Sequence, residues 1–96
     1  MVAYWINSFR HDPDSDKLQR YAEAAGPVMR AHGGRFLARG VPSVVFEDGV
    51  ACRTVVIEFP SVEHAEAAYR SEEYHAALAF LDGEAPRDLR IIDGTT

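Results

Sequence analysis

The sequence predicts an α+β fold with a four-stranded antiparallel sheet and both helices on one face. Residues 2–9, 53–59 and 89–92 read as strands that are apolar on both faces. A strand with one wet face alternates apolar and polar residues, whereas a strand covered on both faces is almost continuously apolar. Two helical stretches separate the strands and give the order β-α-β-β-α-β, which is typical of ferredoxin-like domains. Right-handed crossovers then place both helices on the same face.

The length and the net charge of the chain limit its domain number and its possible partners. The 96 residues have the length of one domain, residues 1–96. A net charge of −5 argues against nucleic acid or anionic lipid as a partner. The chain has no signal pattern at its start and no apolar run near the roughly 18 residues of a membrane span. We therefore expect a cytoplasmic protein with no nucleic-acid or membrane partner.

The first helix has a clear predicted start and end. Asp12 is expected to cap it, with Pro13 at the first helical position. Gly26-Pro27 predicts a kink or a restart, and Gly33 suits the left-handed position after the last turn. The apolar spacing places one stripe of side chains inward. This stripe is Leu18, Tyr21, Ala22, Ala25, Val28, Met29 and His32.

The middle of the chain predicts a hairpin. Residues 35–39 form a strand, residues 40–42 break it, and residues 43–47 resume it before a turn at Asp48-Gly49. A tight turn would place Arg39 opposite Glu58, and a slipped register would place Arg35 there instead.

The second half of the chain repeats the pattern of helix and strand. Ser61 caps a helix after the third strand, and Ser71 starts a second helical piece that extends to about residue 80. Residues 88–93 are the last strand.

The helices cannot cover the second face of the sheet. Val2, Tyr4 and Ile6 fall on one face of the first strand, and Ala3, Trp5 and Phe9 on the other. Each apolar side chain on the uncovered face contributes about 1.5–3 kcal/mol when it is buried. Two sheets packed face to face about a two-fold axis would bury them. The sequence therefore predicts a homodimer with the helices outside.

Four segments carry a resemblance to a known family. They are H-G-G-R-F-L-A-R-G at 32–40, V-V-I-E-F-P-S at 55–61, S-E-E-Y at 71–74 and R-D-L at 87–89. They resemble the small bacterial domain-of-unknown-function family numbered thirteen-thirty, within the dimeric α/β-barrel superfamily. The resemblance implies a ferredoxin-like fold and a homodimer. It implies no single reaction, because the superfamily includes cofactor-independent monooxygenases, haem-degrading enzymes, lactone isomerases and domains that only bind small molecules.

His32 is the candidate catalytic residue. It ends the first helix on the inward stripe, before two glycines that let the backbone approach a ligand. A histidine there could act as a general acid or base near neutral pH. Alternatively, it interacts with the negative end of the helix and has a capping role.

The candidate substrate-binding residues form two groups. Arg35, Arg39 and Glu58 could hold a carboxylate or an enolate, with Glu58 orienting the arginines; the alternative is a structural ion pair. Trp5 and Asn7 share one face of the first strand and suit a planar ligand and an oxyanion, or else they belong to the core. Tyr21, Tyr69 and Tyr74 could line a pocket between helices and sheet.

No motif for a metal or a cofactor is present. His11, His64 and His75 lack the spacing of a metal site. Cys52 is the only cysteine, which excludes an internal disulfide and a cysteine-based zinc site. The chain has no phosphate-binding loop, dinucleotide fingerprint, nucleophile elbow or haem motif. We therefore expect neither a metal nor a cofactor.

Two functions fit the sequence. One is a cofactor-independent enzyme, of the isomerase or monooxygenase type, that acts on a small aromatic or carboxylated metabolite. The other is a non-catalytic dimeric module that binds a small molecule or has a structural role.

Overall fold

The computed structural model describes residues 1–83 and 85–96. Its strands are β1 (Ala3–Phe9), β2 (Arg35–Gly40), β3 (Thr54–Phe59) and β4 (Arg87–Asp93). Its helices are α1 (Ser15–Ala31), α2 (Val62–Arg70) and α3 (Glu72–Leu78), and a 3-10 turn follows at Ala79–Leu81. The strands form one antiparallel sheet in the order β2-β3-β1-β4. The predicted ferredoxin-like α+β fold is confirmed.

The helices cover one face of the sheet. Alternate residues of β1 and β3 are buried on that face: Ala3, Trp5, Asn7, Phe9, Val55, Ile57 and Phe59. The molecule measures only 16 Å along its thinnest axis, which leaves room for one sheet and one helical layer. The strand registers place the intervening residues on the other side, which we call the open face. They are Tyr4, Ile6, Ser8, Arg35, Ala38, Thr54, Val56, Glu58, Asp88, Arg90 and Ile92.

The ends of α1 differ in how well the sequence predicted them. The predicted Asp12 cap is wrong, because the Asp14 carboxylate accepts the N–H groups of Asp16 and Lys17, both at 3.1 Å. At the other end Gly33 has φ +88°, as predicted. Its N–H donates to the Arg30 carbonyl at 3.0 Å, and the next N–H, of Gly34, donates to Met29 at 2.8 Å. This pair of hydrogen bonds is a Schellman ending.

The predicted restart of α1 at Pro27 is wrong. The helix runs from Ser15 to Ala31 with Pro27 inside it. Proline removes one helical hydrogen bond, but Ala25 and Met29 on either side of it are buried against the sheet. Burial of this apolar stripe holds the helix together across the proline.

The connection between β2 and β3 is longer and less regular than predicted. The resumed strand at 43–47 is wrong, because β2 ends at Gly40 and its pairing stops at Gly40 and Thr54. Pro42 has no N–H with which to extend the ladder. Residues 41–53, which we call the arm, instead contain a turn in which the Gly49 N–H donates to the Phe46 carbonyl at 3.1 Å.

The register of β2 also corrects a prediction. Arg35, not Arg39, lies opposite Glu58, and Arg39 lies opposite Val55. The irregularity that shifts the pairing lies between Phe36 and Ala38 instead of near Pro42. The slipped alternative was therefore the correct one.

Candidate small-molecule site

Three side chains from distant parts of the chain form one hydrogen-bonded group. The Arg87 Nη1 donates to the Tyr74 hydroxyl at 2.9 Å and to the Tyr21 hydroxyl at 3.1 Å. The two hydroxyl oxygens lie 2.7 Å apart, so one phenol donates to the other. We call Tyr21, Tyr74 and Arg87 the Arg87 cluster.

Local sequence signals position each member of this cluster. Tyr21 lies on the inward stripe of α1. Tyr74 lies in the first turn of α3, where its N–H donates to the capping Ser71 Oγ at 3.1 Å. Arg87 begins β4 opposite Phe9, on the face that the helices cover. Its guanidinium carbon lies 6.0 Å from the ring centre of Phe9 and 5.6 Å from that of Tyr21.

The cluster has more hydrogen-bond donors than acceptors. Two phenols supply two O–H groups, and only one of them can lie between the two oxygens. No second acceptor for either hydroxyl occurs among residues 1–83 and 85–96. The guanidinium has five N–H donors, yet only its Nη1 has acceptors in the described part of the chain. Within the described part of the chain, the cluster therefore has more donors than acceptors.

Among residues 1–83 and 85–96, the positive charge of Arg87 also has no negative partner. The side chain is half-buried, and no described carboxylate lies within 4.0 Å of it. Burial acts to lower the pKa of Arg87, but the two tyrosine hydroxyls outweigh this effect and raise it. Burial raises the pKa of Tyr74, and the neighbouring Tyr21 adds to the effect. The Arg87 side chain therefore stays charged beside a Tyr74 phenol that stays neutral.

Trp5 packs against Tyr74 of the cluster and is itself hydrogen-bonded to Asn7. The Trp5 ring meets the Tyr74 ring edge to face, with 5.4 Å between centres, and its Nε1 donates to the Asn7 Oδ1 at 2.9 Å. Only 1% of Trp5 and 4% of Asn7 are exposed. The Asn7 carbonyl is thus occupied by the indole, and these two residues fix the position of Tyr74.

A groove of about 510 Å³ opens beside Arg87, between the helices and β4. We call it the β4 groove. It is lined by Tyr69, Leu78, Ala79, Leu81, Gly83, Ala85, Pro86, Arg87 and Leu89. Among these described residues Arg87 is the one with a charge, and most of the others are apolar. A second hollow of about 330 Å³ shares Tyr69 and Leu89 with the groove.

His32 lies at the opposite end of α1 from the Arg87 cluster. It is the C-cap of the helix, and its backbone N–H donates to the carbonyls of Val28 and Met29, both at 3.2 Å. With a rise of 1.5 Å per residue, it is about 16 Å along the helix axis from Tyr21. The structure does not bring His32 together with Trp5 and Asn7.

The predicted arginine group is divided between the two faces of the sheet. Arg35 and Glu58 form an ion pair on the open face with 3.2 Å between Nη2 and Oε1. Arg39 lies over the Phe36 ring at 5.0 Å. Together with Asn7 and Tyr21 it borders a separate cavity of about 40 Å³, little more than the volume of one water molecule. Arg39 is thus near the cluster, whereas Arg35 and Glu58 are not.

Arg87 is the residue that sequence reasoning missed. Its side chain is on the covered face because Arg87, Leu89 and Ile91 alternate along β4. This alternation with period two places a cation in a row of apolar residues, and it is the sequence signal that could have identified Arg87. The pairing with Tyr21 and Tyr74 could not be seen, because these residues are 66 and 13 positions away in the chain.

Other kinds of site find no support in the described residues. No group of three or more His, Cys, Asp or Glu side chains among residues 1–83 and 85–96 could hold a metal ion. No helix in this part of the chain is long and apolar enough to cross a membrane.

Comparison with protein families gives one match over nearly the whole chain. A family described as "Domain of unknown function (DUF1330)" matches residues 2–95. The chain belongs to the DUF1330 family. This confirms the resemblance found in the segments at 32–40, 55–61, 71–74 and 87–89. A search of curated proteins gave no match for this DUF1330 protein.

Solved structures show the same fold at low sequence identity. A protein of unknown function from Rhodopseudomonas palustris, RPA0582, is 17% identical with a TM-score of 0.73, over 99% of this chain and 83% of that chain. SnoaB, a cofactor-independent oxygenase from Streptomyces nogalater, is 9% identical with a TM-score of 0.68, over 99% and 94%. A dimeric ferredoxin-like protein of unknown function from Thermobifida fusca is 18% identical with a TM-score of 0.67, over 98% and 92%.

Proposed function

We propose that this DUF1330 protein is a cytoplasmic homodimer that binds a small aromatic or carboxylated compound in the β4 groove. The observation that carries the proposal is the Arg87 cluster, a half-buried cation with spare donors and no described anionic partner. A buried charge is costly unless a partner satisfies it. A carboxylate, phenolate or enolate oxygen of a ligand would supply the missing acceptor.

The groove suits a ligand with an apolar body and one anionic end. A guanidinium can hold a carboxylate with two parallel hydrogen bonds. Leu81, Ala85 and Leu89 offer apolar surface to the rest of the ligand, and Tyr69 offers an aromatic ring. The volume of about 510 Å³ lies within the usual range for small-molecule pockets.

The homodimer follows from the open face. Tyr4, Ile6 and Val56 lie side by side there, half-exposed in one subunit. Covering such side chains contributes about 1.5–3 kcal/mol each, and a second open face is the matching surface under two-fold symmetry. The similar Thermobifida fusca structure is described as dimeric, which supports the proposal.

The second candidate function is catalysis on the same class of compound, without a cofactor. The observation that favours it is the surplus of donors at the Arg87 cluster. Donors fixed in advance stabilise an oxyanion that develops during isomerisation or oxygenation. The similarity in fold to SnoaB is consistent with such chemistry. His32 remains a predicted acid or base, but neither proposal depends on it.

Replacing Arg87 tests the proposed site. Benzoate, salicylate and cinnamate are titrated against the wild-type protein and Arg87→Gln by calorimetry, and thermal shifts are recorded in parallel. At least one of these acids should bind, and Arg87→Gln should weaken it by tenfold or more, because the substitution removes the charge and the bidentate donor.

Arg90→Gln is the matched control, because Arg90 lies on the same strand but on the open face. It should bind like the wild type. If Arg87→Gln and the wild type bind every acid equally, the β4 groove is not the site. If Arg87→Gln unfolds, Ala79→Leu tests the groove at an exposed lining residue outside the cluster. Turnover of quinols and lactones in molar excess over the protein would establish the second candidate function.

A further inference from the structure

We infer that the arm of each subunit, residues 41–53, packs against the partner subunit and completes the dimer interface. The inference rests on the homodimer of the proposed function and adds a segment to it. The occupant of the apolar surface of the arm is a second copy of this chain. Three observations lead to this assignment: side-chain exposure, unpaired backbone, and the area of the open face.

The arm exposes more apolar surface than its own subunit can cover. Phe46 is 78% exposed, Val44 67% and Val41 66%. Val50 is 52% exposed on the other side of the turn. Large apolar side chains scattered singly over a surface are common, but a contiguous group of this kind marks an interaction surface.

The backbone of the arm is also unsatisfied within the described part of the chain. Between residues 41 and 51 the one backbone hydrogen bond is the turn bond from Gly49 to Phe46. An extended segment with free N–H and C=O groups beside apolar side chains can form hydrogen bonds and apolar contacts with another chain. A second subunit supplies both partners at once.

The flat outline of the open face is smaller than the accessible area that a standard interface buries. The sheet is four strands wide, and its strands have six or seven residues. At about 4.8 Å between strands and about 3.3 Å per residue, it covers roughly 400 Å². Stable interfaces bury about 800 Å² on each partner. The arm leaves the sheet between Gly40 and Thr54, at the edge of the open face, and supplies the missing area.

Photo-crosslinking tests this contact directly. Cys52 is the only cysteine, so Cys52→Ser gives a background without thiols. A benzophenone maleimide is attached to Phe46→Cys in this background and irradiated in dilute protein. Covalent dimers should form with most of the label. The control is Phe80→Cys, a position 43% exposed on the 3-10 turn, which should give few covalent dimers.

Sedimentation equilibrium of a second variant distinguishes a failure of the arm contact from a failure of the homodimer. Val44→Ser combined with Phe46→Ser should raise the dimer dissociation constant at least tenfold, whereas Phe80→Ser should leave it unchanged. The wild type could be dimeric while the arm variant has the same dissociation constant and Phe46→Cys gives no covalent dimers. That result would overturn the role of the arm but not the homodimer. A monomeric wild type overturns the homodimer and the arm contact together.

Discussion

The Tyr74 side chain places a hydroxyl in an otherwise apolar interior. None of its surface is exposed, and its ring packs against Trp5 and Tyr21. Among the described residues, the partners of the hydroxyl are Tyr21 and Arg87, which lie on other elements. This one side chain therefore links α1, α3 and β4, and its packing holds the donors of the candidate site in place.

The raised pKa of Tyr74 predicts a loss of stability in alkali. Its folded-state pKa lies above the value of about 10 for an unfolded tyrosine. Its contribution is therefore fully present below about pH 10 and is lost as the pH rises through the folded pKa. Tyr74→Phe should lower the free energy of unfolding by about 1–2 kcal/mol at pH 7 and flatten its decline above pH 10. Urea unfolding at pH 7, 10 and 11 measures both effects.

Tyr4→Phe is the control for this prediction, since Tyr4 lies on the open face. Its curve should keep the alkaline decline of the wild type. An equally steep decline in Tyr74→Phe would show that another group causes the alkaline loss.

At the scale of elements, α1 illustrates how burial overrides a local signal. Gly26-Pro27 favours a break, yet the helix continues because its inward stripe packs on the sheet. The helix then ends before Gly33 and Gly34. A Cβ on Gly34 would lie 2.8 Å from the Met29 carbonyl oxygen and 3.0 Å from the Phe59 ring. The close approach of this turn to β3 requires a glycine.

Pro27→Ala should stabilise the protein. Pro27 is exposed and lies inside a continuous helix, so alanine would restore an N–H that can donate to the carbonyl four residues earlier. We expect a gain of about 1–3 kcal/mol in the free energy of unfolding, measured by urea denaturation. Pro13→Ala, outside the helix, should give no gain. A less stable Pro27→Ala would show that the proline is required by the packing of α1.

At the scale of the whole molecule, the thin two-layer shape leaves the sheet half covered. The open face combines apolar residues with the Arg35–Glu58 and Arg90–Asp88 ion pairs. These pairs balance in charge, so the face does not repel a copy of itself. A surface of this composition is stable in a dimer and costly when it is left in water.

A charge at the centre of the open face should dissociate the dimer without unfolding the subunit. Val56 lies between Ile6 and Ala38. Val56→Glu stays solvated in the monomer but would be buried unpaired in the dimer. Light scattering should report the 10.7 kDa mass of one chain for this variant and twice that for the wild type. Ala67→Glu, on the exposed side of α2, should remain dimeric. A dimeric Val56→Glu would exclude the open face as the interface.

The sequence by itself determined the element order, the sheet with one helical face, the Ser61 and Ser71 caps and the glycine ending of α1. These features depend on residue periodicity and on contacts between near neighbours, which a chain displays locally. It also identified Trp5 and Asn7 as a pair on one face of β1, although their functional role stays a prediction.

Only the tertiary structure decided which polar side chains meet. It paired Arg35 rather than Arg39 with Glu58, because residues 41–53 join β2 to β3 in place of the predicted two-residue turn. It placed His32 about 16 Å along the axis of α1 from Tyr21 of the Arg87 cluster. It joined Tyr21, Tyr74 and Arg87 through hydrogen bonds across three elements. Such contacts depend on how the elements pack against one another, and packing depends on side chains far apart in the sequence.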